Sequence, residues 1–144
     1  MPVSNPRILY VDDKDCCQMV GLMLNIAEPG YELVVVASAD EAMNLMADGK
    51  FNLYVLECLL PGTSGIELCR RIRKADQNTP ILFYTGMARP ADRSVAMAAG
   101  ATEYLVKPND LDKIIGTITR LLNKSSSISK PESASGRRVY QGIY

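Results

Sequence analysis

Four short apolar runs in this chain end on polar residues of the kinds that bind cations and phosphate. Arg7 to Val11 (RILYV) runs into Asp12-Asp13, and Leu53 to Leu56 (LYVL) into Glu57. Ile81 to Tyr84 (ILFY) runs into Thr85, and Thr102 to Val106 (TEYLV) into Lys107. Taken singly, each has a plain reading. Asp12-Asp13 serves equally as a turn and helix cap, Thr85 as a strand-end residue, and Lys107 as a solvated lysine. Glu57 is the hardest to dismiss, because a carboxylate directly after a buried strand needs a partner. Three carboxylates on one spot repel one another and raise each other's pKa. A hard divalent cation resolves the repulsion, and Mg²⁺ takes a few carboxylate oxygens while keeping water positions for a phosphate. Lys107 and the Thr85 hydroxyl would then face phosphoryl oxygens.

Such convergence requires a scaffold that brings strand ends together. Between the runs lie helical patterns. Asp15 is the expected N-cap of a first helix to about Ala27, with Cys16, Met19, Val20, Met23 and Ala27 inward. Pro29-Gly30 closes it, and Leu33 to Val36 (LVVV) is a β-branched strand. Ser38 or Asp40 opens a helix through about Ala47, with Ala42, Leu45 and Met46 inward. Ser64 with Glu67 has capping-box spacing for a third helix. There Ile66, Cys69 and Ile72 face the core, and Arg70, Arg71, Arg73 and Lys74 lie outward or in the last turn. A fourth helix spans about Pro90 to Ala99. Asn109 or Asp110 caps a last one, with Leu111, Ile114, Ile115, Ile118, Leu121 and Leu122 as its stripe. This alternation predicts an α/β fold: a doubly wound, five-stranded parallel sheet with helices on both faces. The flavodoxin-like order 2-1-3-4-5 places a crevice between the first and third strands, lined by Asp12, Asp13 and Glu57.

Composition narrows the classes. The chain has 144 residues, which suits one domain with a real core. Its 16 basic and 16 acidic residues cancel, so charge implies neither a nucleic-acid nor a membrane partner. No apolar run spans a bilayer and no signal-peptide pattern opens the chain. The absence of histidine removes Ser-His and Cys-His catalysis, histidine metal ligation and a phosphohistidine carrier role. Cys16, Cys17, Cys58 and Cys69 lack zinc-site spacing and read as reduced thiols of a cytoplasmic protein. Past Asn123 the texture becomes serine-rich and aperiodic. We expect a domain at 1–123 and a disordered or loosely ordered tail at 124–144, whose end (RRVYQGIY) is either disordered or a short docking peptide.

With these residues in view, Arg7 to about Leu122 resembles a receiver domain of the two-component response-regulator family. The matching pieces are VDD (Val11 to Asp13), LPGTSG (Leu60 to Gly65), YTG (Tyr84 to Gly86) and GATEYLVKP (Gly100 to Pro108). In that family the acid pair holds Mg²⁺, and an aspartate after the third strand accepts a phosphoryl group from a histidine kinase. The resemblance implies Mg²⁺ ligation by Asp12 and Asp13 with the backbone carbonyl of Leu59, and phosphoryl sensing by Thr85 and Lys107. It makes Tyr104 the switch aromatic and Lys107-Pro108 a pair whose peptide bond is usually cis. It also implies a sensor histidine kinase or phosphotransfer protein as partner, and output to a downstream protein through residues 90–122. The tail is too short for a helix-turn-helix unit.

The departure from the family is central, because Glu57 stands at the phosphoacceptor position. Its extra methylene advances the carboxylate by about 1.5 Å. Misplacement of about 1 Å costs on the order of a hundredfold in transfer. Phosphotransfer is therefore expected to be weak or absent, with Glu57 either partly imitating the phosphorylated state or acting only as a third Mg²⁺ ligand. The module is expected to be no enzyme. Other readings of the architecture are a scaffold binding neither metal nor phosphate, and a Mg²⁺-dependent phosphatase using the Asp13 and Asp15 spacing. A flavin-nucleotide binder is disfavoured, because Asp12-Asp13 repels its phosphate.

Overall fold

The computed structural model describes residues 5–129. Five strands form one parallel sheet in the order β2-β1-β3-β4-β5: β1 (Arg7–Val11), β2 (Glu32–Val36), β3 (Leu53–Leu56), β4 (Ile81–Thr85) and β5 (Glu103–Val106). The helices are α1 (Lys14–Ala27), α2 (Ala39–Asp48), α3 (Gly65–Ala75), α4 (Pro90–Ala99) and α5 (Ile114–Ser129). The expected doubly wound fold and strand order are thus present.

Side-chain alternation along the strands divides the core in two. Leu9, Val11, Tyr54, Leu56, Ile81, Phe83 and Tyr104 meet Ala39, Ala42, Leu68, Cys69, Ile72 and Ala96 of α2, α3 and α4. On the other face Ile8, Tyr10, Leu53, Val55, Leu82, Tyr84 and Leu105 meet Cys17, Val20 and Leu24 of α1 and Ile114, Ile118, Leu121 and Leu122 of α5. β3 and β4 are buried along their whole length, which explains their unbroken apolar runs.

Several local expectations change. The N-cap of α1 is Asp13, whose Oδ1 accepts the Cys16 amide at 2.8 Å, and not Asp15. The buried stripe is Cys17, Val20 and Leu24, so Cys16 is only partly buried and Met19 is exposed. Ser38 and Ser64 cap α2 and α3 through the Glu41 and Glu67 amides. Arg73 does not simply face outward. Its guanidinium turns inward to the carbonyls of Gly100 (2.9 Å), Asp76 (3.1 Å) and Thr79 (2.7 Å), tying α3 to the end of α4. Asp110 precedes a 3-10 turn (Leu111–Lys113), but its side chain accepts the Val106 amide (2.8 Å) in place of capping a helix.

α5 runs on through Lys124–Ser129, where sequence texture alone predicts the tail. A packed helix extends at the cost of one residue's freedom per hydrogen bond, so serines can prolong it. The rest of the expected tail, including its aromatic end, lies outside the described residues.

Candidate functional site

The C-terminal ends of β1, β3, β4 and β5 meet as the topology requires. Asp12 is 1% exposed, Glu57 7% and Thr85 0%. Lys107 Nζ sits between the two acids, 2.8 Å from Asp12 Oδ2 and 2.9 Å from Glu57 Oε1. The second Glu57 oxygen, Oε2, accepts the Thr85 hydroxyl and the Leu59 amide (3.1 Å). The structure therefore brings Asp12, Glu57, Thr85 and Lys107 together.

Local backbone devices hold this arrangement. Gly65 opens α3 directly against β3, and a Cβ there would lie 1.9 Å from the Glu57 carbonyl oxygen. Its amide donates to the Cys58 carbonyl at 2.9 Å. The Lys107-Pro108 peptide is cis, as the resemblance implies. Tyr104, 5% exposed, points inward, stacks on Phe83 with ring centroids 6.0 Å apart, and donates its hydroxyl to the Met87 carbonyl at 2.6 Å. The Met87 amide in turn donates to Thr85 Oγ1 at 3.2 Å, so the aromatic and the hydroxyl share one loop.

Electrostatics follow from burial and these contacts. Burial pulls Lys107 toward its neutral form, but hydrogen bonds to Asp12, Glu57 and Cys16 outweigh it and leave its pKa above the usual lysine range. Burial raises Asp12, partly offset by hydrogen bonds from Lys107, the Tyr10 hydroxyl (2.7 Å) and the Asp13 amide (2.7 Å). Asp13 is exposed and lowered by its cap bond to the Cys16 amide.

Two neighbours escaped sequence reasoning. The Tyr10 hydroxyl reaches Asp12 because the side chains of β1 residues two apart share a face, which period-2 spacing could have revealed. Cys16 Sγ accepts from Lys107 Nζ at 3.2 Å. No pattern pointed to Cys16, since its position depends on where α1 starts. One ligand atom each from Asp12, Asp13 and Cys16 lies within 4.8 Å of the others. Glu57 is not in that group: Lys107, Thr85 and Leu59 take up its carboxylate. Leu59 is 71% exposed at the rim. Buried Asp12 and exposed Asp13 together offer the carboxylate oxygens that Mg²⁺ prefers, and Mg²⁺ keeps several waters.

Comparisons with known proteins agree with this geometry. The profile of the response regulator receiver domain matches residues 8–119. The chain is similar to the response regulator MprA of Mycobacterium sp. strain KMS, 32% identical over 133 residues, covering 92% of this chain and 56% of MprA. It is 33% identical over 130 residues to the transcriptional regulatory protein TcrA of Mycobacterium tuberculosis, covering 90% of this chain and 50% of TcrA. It thus spans about half the length of these curated relatives. A CheY-like receiver domain structure from Methanospirillum hungatei superposes with a TM-score of 0.77 at 27% identity, covering 87% of this chain and 99% of that one. The chain belongs to the response regulator receiver domain family of two-component signalling.

Proposed function

We propose that this receiver sets its output without accepting a phosphoryl group, Glu57 standing in for the charged acceptor. One observation carries the reading: the Glu57 carboxylate already engages both Lys107 Nζ at 2.9 Å and the Thr85 hydroxyl. These are the groups that the family resemblance assigns to phosphoryl sensing. Tyr104, buried and hydrogen-bonded to the loop that also contacts Thr85, supports an inward switch position. A carboxylate has less charge and fewer acceptor oxygens than a phosphoryl aspartate, so the imitation is partial.

Asp12 and Asp13, with the Leu59 carbonyl, would hold Mg²⁺, which neutralises their charge and any phosphate oxygens beside it. The module is no enzyme. It works in the cytoplasm through protein contacts: a sensor histidine kinase or phosphotransfer protein on the input side, and a downstream protein on the face formed by residues 90–122. No helix among the described residues is long and apolar enough to cross a membrane. A second reading, a scaffold binding neither metal nor phosphate, is favoured by the Lys107 ammonium, which already pairs with both Asp12 and Glu57.

Intact mass after incubation with Mg²⁺ and acetyl phosphate tests the proposal. The parent chain should stay unmodified, while Glu57→Asp gains a phosphoryl adduct. Labelling of the parent would refute it. A Glu57→Asp chain that neither gains an adduct nor binds Mg²⁺ would favour the scaffold.

A further inference from the structure

We propose that the groove between α1 and the outer edge of β2 is a strand-addition site, and that residues 137–144 of this same chain occupy it, running parallel to β2. Glu57 lies two strands away, and its state does not enter.

β2 is an outer strand with β1 on one side only. The Glu32 amide donates to the Pro6 carbonyl at 2.9 Å, and the Val36 carbonyl accepts the Asp12 amide at 3.2 Å. Residues 32, 34 and 36 therefore turn their main-chain groups to β1. Alternation turns the N–H and C=O of Leu33 and Val35 outward, a template for one more strand. The side chains of Leu33 and Val35 line a groove of about 690 Å³ against α1, where Val35 is 47% exposed. Lys14, Gln18, Gly21 and Asn25, one stripe of α1, form the other wall. An apolar floor beside outward main-chain groups suits an extended segment with alternating side chains.

Composition, charge and reach choose the occupant. Residues 137–144 read RRVYQGIY. Val139, Tyr140, Ile143 and Tyr144 are strand formers. Alternation puts Val139 and Ile143 on one face and Tyr140 and Tyr144 on the other, so either face can cover Leu33 and Val35. Arg137 and Arg138 come first, and Glu28 and Glu32, the latter shared with Arg7, stand where β2 begins. A segment arriving from α5 enters at that end, because Tyr31 there lies beside the Thr119 side chain of α5. By Ser129 the helix has carried the chain about 15 Å past Thr119. The far side of β2 is three strand spacings, about 14 Å, from β3, on which α5 packs. Residues 130–136, fully extended, span about 25 Å and cover that distance. The connection from β5 through α5 to the added strand crosses the same face, in the same direction, as β1 through α1 to β2. It is therefore right-handed, as parallel crossovers are.

Amide hydrogen exchange of the full chain, followed residue by residue by NMR, tests this against the double variant Tyr140→Pro with Ile143→Pro. The two positions have opposite parity, so in either register one proline removes an amide that would bond β2. The Leu33 and Val35 amides should exchange about tenfold or more slower in the parent than in the variant. The Val34 and Val36 amides, which face β1, should exchange alike in both and so report an unchanged fold. Equal rates at Leu33 and Val35 in the two proteins, whether fast or slow, would overturn the proposal. So would protection that grows with protein concentration alongside a doubled mass in sedimentation, the mark of a second copy pairing edge to edge.

Discussion

Lys107 Nζ and Glu57 Oε1 lie 2.9 Å apart although β4 runs between the strands that carry them. The contact passes over Thr85 at the end of β4, whose hydroxyl holds the other Glu57 oxygen. The Glu57 carboxylate lies beyond its own strand end and meets groups carried by two other strands. Lys107 closes the triangle on Asp12 at 2.8 Å, so one ammonium serves two buried acids. Such a cation cannot be removed cheaply, because two desolvated charges would be left behind.

Lys107→Met should therefore destabilise the fold by about 2–4 kcal/mol, the cost of uncompensated buried charge. Glu57→Gln, which keeps shape and loses charge, should cost about 1–2 kcal/mol, the worth of a charged hydrogen bond. The double variant should cost less than the sum by about 1–3 kcal/mol, since the residues are in contact. Urea denaturation of the four proteins measures the coupling, and strict additivity would mean the ion pair contributes nothing.

The same pair gives a pH dependence in the alkaline range. The folded-state pKa of Lys107 lies above the usual lysine value, because its acid partners outweigh burial. Its stabilisation is then complete below the unfolded lysine pKa of about 10.4, and is lost as pH rises through the higher folded value. Tyr10 and Tyr104 are also raised, chiefly by burial, and erode stability in the same direction. The contribution of Lys107 is therefore the difference between parent and Lys107→Met. The gap between their unfolding free energies should be constant from neutral pH to about 10 and narrow above it. A gap that stays constant at higher pH would contradict the raised pKa.

The strand ends were legible because β1, β3, β4 and β5 read as largely apolar runs, most plainly in fully buried β3 and β4, and each of these four stops at a polar residue. Asp12, Glu57, Thr85 and Lys107 were found that way, and their meeting needed only the strand order. What the sequence hid depends on rotation and reach. Whether α1 begins after Asp13 or Asp15 decides which face is buried. The wrong choice sends Cys16 to the core, when the structure places its sulfur against Lys107. Arg73 reads as one more cation in a basic helix face. Nothing local says that its guanidinium will gather three carbonyls around the turn after α3 and the end of α4. The helical run of Lys124–Ser129 was hidden because serine-rich texture suggests an end, while the packed helix before it supplies the nucleus.

Asp13 caps α1, and the proposed function adds metal ligation as a second duty that two substitutions at the cap would separate. Its Oδ1 accepts the Cys16 amide at 2.8 Å, and this bond lowers its pKa. That stabilisation is present above the unfolded aspartate pKa of about 3.9 and is lost as pH falls through the lower folded value. Asp13→Ala removes the cap and should cost about 1 kcal/mol at neutral pH. Asp13→Asn keeps an acceptor at the cap and should cost much less, yet should lose divalent-ion affinity as fully as alanine does. Thermal melts paired with metal titrations check this, and equal destabilisation by both variants would show that charge, not capping, holds the start of α1.

Gly65 is the position at which the site's geometry is least able to adapt. A Cβ there meets the Glu57 carbonyl oxygen at 1.9 Å, the carbonyl carbon at 2.9 Å and the Cys58 Cα at 3.1 Å, all of them backbone. No side chain can rotate away to relieve the contact. Gly65→Ala must therefore push α3 off the end of β3 or shift Glu57 itself, at a cost of about 3 kcal/mol. Because Glu57 carries the contacts to Lys107 and Thr85, the damage should reach beyond packing. In Gly65→Ala the coupling between Glu57→Gln and Lys107→Met should shrink toward zero, even where the fold persists. Gly86, where an added Cβ meets nothing within 4 Å, is the control, and Gly86→Ala should leave that coupling intact. If coupling survives in Gly65→Ala, the strand end and not the helix start positions the glutamate.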